Sequence, residues 1–215
     1  MGIREDFLRP RTDSENAARR AAILGTAEAL VLESSGHRLS IAAVAERVGV
    51  SQSTIFLHFG NREGLLATLY TRAGRTLFED FARRLKPDMS DQEFCEAFID
   101  SWQAFPLFQV MRPMVMRSIA ESLSEDAVHE AVQEVFSFRH AAGPLVVETL
   151  GLEPEQGILL LKCFTNLASG AAQVDVRDLL NLDNLSEDVA RFVRATDFRA
   201  SFLSGATLLL KGIRN

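Results

Sequence analysis

Apolar residues in this 215-residue chain recur at spacings of three and four from one end to the other. That period covers one face of an α-helix, and it leaves no alternating Val/Ile/Thr run or Asn-Gly turn from which to build a sheet. Over 14–35, Ile23, Ala27, Leu30 and Val31 form one stripe, and Gly36 supplies a stop. A short helix follows over 41–47 with Ser40 as its N-cap, Gly49 ends it, and a second short helix runs from about Gln52 to Phe59. Asn61 can cap a longer helix that carries Leu65, Leu69, Ala73 and Leu77 and ends near Lys86-Pro87.

Ser90-Asp-Gln-Glu93 is a capping box, and it opens a helix bearing Phe94, Phe98 and Trp102. Helical pattern continues over 106–123 and 124–150, where Pro113 and Pro144 are expected to kink or divide it. Pro154 suits the first turn of a helix reaching about Val176. A polar stretch, 177–185, precedes a last helical region with Phe198, Phe202, Leu203, Leu209 and Leu210. Helices are short with tight turns before residue 60, and long and apolar after it. The expected fold is all-α, with a three-helix module over 1–60 and a larger helical body over 61–215.

The densest information lies in residues 40–66, SIAAVAERVGVSQSTIFLHFGNREGLL. Ala45, Gly49 and Ile55 stand where a helix-turn-helix needs a small residue, a positive-φ turn and an apolar anchor. Ile41, Val44, Val48 and Val50 supply the interior. Ser51, Gln52, Ser53, Thr54 and Leu57 are left facing outward at the start of the second helix, the end that meets base edges in the major groove.

The string VGVSQSTIFLHFGNREGLL resembles the TetR/AcrR family of bacterial transcriptional regulators, through its Gly-Val-Ser turn, its aromatic-x-His-Phe run and its basic-Glu-x-Leu opening of a fourth helix. The resemblance covers about residues 14–70. It implies base contacts for Ser51, Gln52, Ser53 and Leu57, and phosphate contacts for Thr54, Phe56, His58 and Arg62. Two positions depart from the family pattern. Phe56 replaces a Tyr whose hydroxyl would reach a phosphate, and Arg62 replaces a Lys while keeping its charge. His58 also reads as a plain helix-end histidine, and Arg9, Arg11, Arg19 and Arg20 as either phosphate contacts or solvated surface.

The resemblance further implies a homodimer on a palindromic double-stranded DNA operator, with the last two long helices packing against their symmetry mates. Leu160, Phe164, Ala168, Ala171, Phe202, Leu203 and Leu210 are the candidate interface, unless they line the core of one protomer. A cavity for a small apolar or aromatic effector is implied among helices four to eight. Its candidate lining is Phe98, Trp102, Phe105, Phe108, Met111, Met114, Phe136 and His140, the same residue types that make plain core. The reading is a ligand-responsive DNA-binding regulator, a repressor released by its effector. Its alternatives are an activator of the same fold, or a helical small-molecule-binding or interaction protein that has lost DNA binding.

Enzyme signatures are missing: no Gly-x-Ser-x-Gly, Gly-x-Gly-x-x-Gly or Gly-Lys-Ser/Thr occurs. His129-Glu130 is followed by Gln133 where a zinc helix needs a second His, and His140 stands roughly 16 Å along the same helix, too far to share a metal. No metal, cofactor or catalytic residue is expected. Cys95 and Cys163 are too few and too distant for a disulfide framework and sit in apolar patterns. The charged start has no signal-peptide core and no apolar run spans a membrane, so a cytoplasmic protein is expected. The net charge of −6 excludes a uniformly basic coat. Residues 1–65 hold 8 basic and 8 acidic residues, leaving 15 and 21 for the rest, so the acidity belongs to the body.

Overall fold

Ser40 accepts a hydrogen bond from the Ala43 amide and so starts the helix that the sequence places there. The computed structural model describes residues 13–34, 39–122, 142–175 and 180–214 together with Gln133 and Ser137. Ten helices make up the described residues, and no strand occurs among them. They are α1 (Asp13–Glu33), α2 (Ile41–Val48), α3 (Gln52–Phe59), α4 (Arg62–Arg84), α5 (Asp91–Ala104) and α6 (Pro106–Ser122). After them come α7 (residues 142–150), α8 (Pro154–Val174), α9 (Glu187–Arg194) and α10 (Phe198–Ile213), with a short 3₁₀ turn over Leu182–Asn184. The all-α expectation stands. The polar stretch, however, leads into a separate helix, α9, which the sequence reading merged with the last helical region.

The chain divides into two compact units. The first holds α1–α3, α4 as far as Tyr70, and Val110–Ser122 of α6. Ile23, Ala27 and Val31 of α1, Val44 and Ala45 of α2, Ile55 of α3, and Leu65 and Leu69 of α4 are among its buried apolar positions. These are the positions that helical spacing marks, because one face of each short amphipathic helix has nowhere else to go. An exposed ion pair, Arg47 to Glu33 at 2.7 Å, bridges α2 and α1 and adds little stability at that exposure. α6 continues through Pro113 rather than dividing there. A proline removes one helical hydrogen bond, and burial of Met111 and Val115 on either side offsets that loss.

The second unit holds the remainder of α4, α5, the first turn of α6 and α7–α10. Ser90 and Glu93 close the expected capping box on α5, and Pro154 occupies the first turn of α8. An aromatic cluster fills the interior around Phe98. Its ring lies 5.2 Å from Phe81, 5.3 Å from Phe164 and 5.8 Å from Trp102, and it stacks on Phe202 at 5.5 Å. Edge-to-face and offset pairs of this kind add about 0.5–1.5 kcal/mol each beyond their burial. The Trp102 indole N–H donates to Gln109 at 2.6 Å, which satisfies its only polar atom.

A polar network lies beside this core. Asp80 of α4 accepts from Arg84 at 2.7 Å, from Ser101 of α5 at 2.9 Å and from Arg83 at 3.3 Å. Arg199 of α10 reaches Asp100 of α5 at 2.6 Å. Burial pushes the Asp80 carboxyl up, and the bonds from Arg84, Ser101 and Arg83 outweigh it, holding the group below its ordinary range.

Candidate nucleic-acid interface

The turn between α2 and α3 sets the whole arrangement. Gly49 has φ 77° and ψ 39°, left-handed values that a Cβ disfavours. Its amide bonds to the Glu46 carbonyl at 3.2 Å while the Val50 amide bonds to Ala45 at 3.0 Å, so the spent end of α2 is satisfied within the turn. The chain leaves extended through Ser51, whose hydroxyl caps α3 by accepting from the Thr54 amide at 3.2 Å.

On α3, Ile55 and Phe59 face inward and are buried, and Arg20 of α1 lies over the Phe59 ring at 4.9 Å. The outward side consists of two rows one turn apart: Gln52 with Phe56, and Ser53 with Leu57. Leu57 is 83% exposed and Phe56 43%, both unusual for large apolar residues on a packed module. The Ser51 hydroxyl also joins the Ser53 and Thr54 hydroxyls, at 2.8 and 2.9 Å, so the three form one cluster at the helix start. Thr54 and His58 are half-buried at the margins, with the His58 ring 6.2 Å from that of Phe59.

Arg62 opens α4, and its guanidinium is already engaged. Nε donates to the Leu39 carbonyl at 2.9 Å, and a second nitrogen stands 3.4 Å from Glu63. This fastens the start of α4 to the segment entering α2. The guanidinium fork still carries further N–H groups for an anion. Two neighbours that the sequence motif does not assign to the site also position it. Asn61 caps α4 by accepting from the Gly64 amide at 2.7 Å. A Cβ on Gly64 would run into the Phe59 carbonyl oxygen, so glycine lets α4 start directly against the end of α3. An Asn-x-x-Gly after the aromatic run was the available signal. Beside the turn, α1 and the end of α2 bound an open groove of about 730 Å³ lined by Ala18, Arg19, Ala22, Val48 and Val50 among others.

The proposed effector residues fall elsewhere. Phe98, Trp102 and Phe108 are fully buried with their faces against other rings. A side chain lining a cavity that admits water would present surface to it, so these three are core rather than lining in this state. Phe105, at the end of α5, is half-buried. Met111 and Met114 belong to the other unit, the first buried and the second half-buried. Phe136 and His140 lie outside the described residues.

The proposed dimer residues need a similar correction. Leu160, Phe164, Ala168, Ala171, Phe202 and Leu210 are all buried within one protomer, where α8 packs on α10, and have no surface left for a partner. Leu203 is half-buried. Of the two roles open to these six positions, the core of one protomer is the one their burial fits. The exposed apolar positions on this pair are Ile158, Leu159 and Val174 on α8 and Leu208 on α10. Cys95 is buried and its thiol is pushed up to about 12 by burial first, then by Asp91 and Glu96, so it is chemically quiet. Among the described residues no three His, Cys, Asp or Glu side chains gather as a metal site, and no helix is long and apolar enough to cross a membrane.

Comparison with known proteins bears on the same segment. Residues 23–69 match the sequence model of the family described as bacterial regulatory proteins, tetR family. A TetR transcriptional regulator from Streptomyces coelicolor aligns over 90% of this chain and 96% of its own, at 21% identity and TM-score 0.56. Another, from Rhodococcus sp. RHA1, aligns over 91% and 97%, at 18% identity and TM-score 0.55. At these identities the structural likeness establishes the fold, and the sequence match lies within the N-terminal segment, residues 23–69.

Proposed function

We propose that the chain is a DNA-binding transcription regulator of the tetR family, a repressor that binds a palindromic operator as a homodimer and leaves it when a small apolar effector binds. The observation that carries this reading is the α3 face. A Gly49 turn and a Ser51 cap hold a short helix whose Gln52, Ser53, Phe56 and Leu57 are exposed. Gln52 and Ser53 offer groups that bond to base edges, and Thr54, His58 and Arg62 flank them with donors for phosphate. One such helix reads only a few base pairs, so two copies on two half-sites supply the specificity.

The dimer face we assign is the outward side of α8 and α10, around Leu159 and Leu208. These are apolar groups left in water on the helix pair that the family resemblance assigns to dimerisation, and covering them is favourable. Regulators of this family act through binding rather than catalysis.

Effector response is a linked equilibrium: the effector lowers DNA affinity only by its preference for a state that binds DNA less well. Support for an apolar effector is the aromatic interior of the second unit, where few polar atoms interrupt the rings. Because Phe98, Trp102 and Phe108 are closed against one another, the effector must open its own space among them. A mobility shift with the DNA upstream of the gene tests the reading. A shifted band at modest salt that fades when Thr54 and Arg62 are both replaced by Ala supports it. The same protein, folded, shifting no fragment at low salt rejects it in favour of a helical binding protein.

A further inference from the structure

We infer that the operator is read through A·T pairs, with Leu57 seated against a thymine methyl group and Gln52 bonded to an adenine; this rests on the DNA-binding function proposed above. The helix α3, QSTIFLHF, contains no Arg, Lys, Asp or Glu. Guanine is most often read in the major groove by Arg or Lys donating to O6 and N7, and cytosine N4 donates to Asp or Glu. The outward face of α3 holds neither kind of side chain.

What that face does hold matches the other base pair. The Gln52 carboxamide has a donor and an acceptor side by side, the complement of adenine N6 and N7. It is exposed and makes no hydrogen bond among the described residues. Leu57 points outward one turn beyond Ser53 and is 83% exposed, and Phe56 beside it is 43% exposed. A leucine pressed over guanine O6 or cytosine N4 would strip those groups of water and return no hydrogen bond. Over the thymine C5 methyl it covers apolar surface with apolar surface. The Ser53 and Thr54 hydroxyls, tied to Ser51, suit either base pair and do not discriminate. Besides those hydroxyls, His58, half-buried against Phe59, is a further group on α3 able to donate to guanine.

The test begins by selecting duplexes from a random pool with the full-length chain. Dissociation constants are then measured for the selected duplex with each thymine replaced in turn by deoxyuridine, which removes only the methyl group. The expected half-site has A·T pairs at the read positions. At one of them deoxyuridine weakens binding about 4-fold, and in both half-sites together roughly 15-fold. Leu57→Ala binds more weakly, melts like the parent, and no longer distinguishes thymine from deoxyuridine at that position. The inference is overturned by read positions that are G·C, by tolerance of deoxyuridine everywhere, or by a Leu57→Ala variant that still discriminates. Selection of no duplex at all overturns it together with the DNA-binding function, an outcome distinct from the other three.

Discussion

The guanidinium Nε of Arg62 donates to the main-chain oxygen of Leu39 at 2.9 Å, joining the first residue of α4 to the segment that enters α2. Arg62 therefore ties the start of α4 into the module, beside the phosphate contact proposed for it. Replacing it with Ala removes both roles and is expected to lower the melting temperature by about 2–4 °C, for a loss of about 1 kcal/mol. Arg62→Lys separates the two. Its charge restores much of the DNA affinity, while the melting temperature stays low because an ammonium lacks the fork that spans the carbonyl and Glu63. Paired melting and binding curves decide it, and a Lys variant that melts like the parent removes the structural role.

Three glycines in the described helices and turns are predicted to respond differently to alanine. Gly49→Ala forces a Cβ into a left-handed residue and costs about 1–2 kcal/mol. Gly64→Ala sets a Cβ against a main-chain oxygen that closes α3, so the loss is larger, about 3 kcal/mol. Gly25, in the exposed middle of α1 with open space around it, is expected to gain about 0.5–1 kcal/mol. Denaturant midpoints of the three variants give the order directly. A Gly64→Ala protein as stable as the parent would show that α4 does not need that approach.

The partition between core and dimer face makes a contrast that solution measurements can read. Phe202→Ala empties space among Phe98 and Phe164 and is expected to cost about 3–5 kcal/mol. Leu208→Glu, at 69% exposure, leaves the melting of a protomer nearly unchanged but shifts the sedimentation mass from two copies toward one. If Leu208→Glu stays fully dimeric together with Leu159→Glu, the dimer uses another surface.

Asp80 predicts a pH dependence. Its carboxyl is held below the ordinary value in the folded chain, so its bonds to Arg84 and Ser101 contribute fully above the unfolded value, near pH 4. That contribution fades as pH falls through the lower folded value. Asp80→Asn is therefore less stable than the parent at pH 7, and the gap between them narrows as pH is lowered below about 4. Melting curves over pH 3–7 check this, and a gap that stays constant would mean Asp80 is not the titrating group.

The local features of the fold were legible because their causes are local. Ser40, Asn61 and Ser90 cap helices through bonds that span three residues, and Gly49 turns the chain by its own backbone freedom. The outward residues of α3 followed from Ile55 having to face in, and Phe59 joins it there. The body was harder to read. Spacing shows that Phe164 and Phe202 lie on apolar stripes, but both α8 and α10 carry a second apolar set at Leu159 and Leu208. Only the crossing of the two helices, which depends on contacts distant in sequence, decides which stripe is core. The same holds for Trp102, whose ring reads equally well as lining or as packing until Phe98 and Phe108 are seen against it. α9 was missed because Ala190 and Val193 are a short inward stripe, while Val189 and Phe192 face water.

The proposal stands or falls on whether the α3 face reads DNA. Fluorescence anisotropy with the labelled upstream duplex, titrated with the parent chain and with Gln52→Ala/Leu57→Ala, tests it most directly. Saturable binding by the parent, resistant to excess unrelated duplex, is expected. A loss of at least about 10-fold is expected in the double variant, with unchanged melting. Equal affinity of the two proteins for that duplex, or no binding by the parent at low salt, would contradict the proposal.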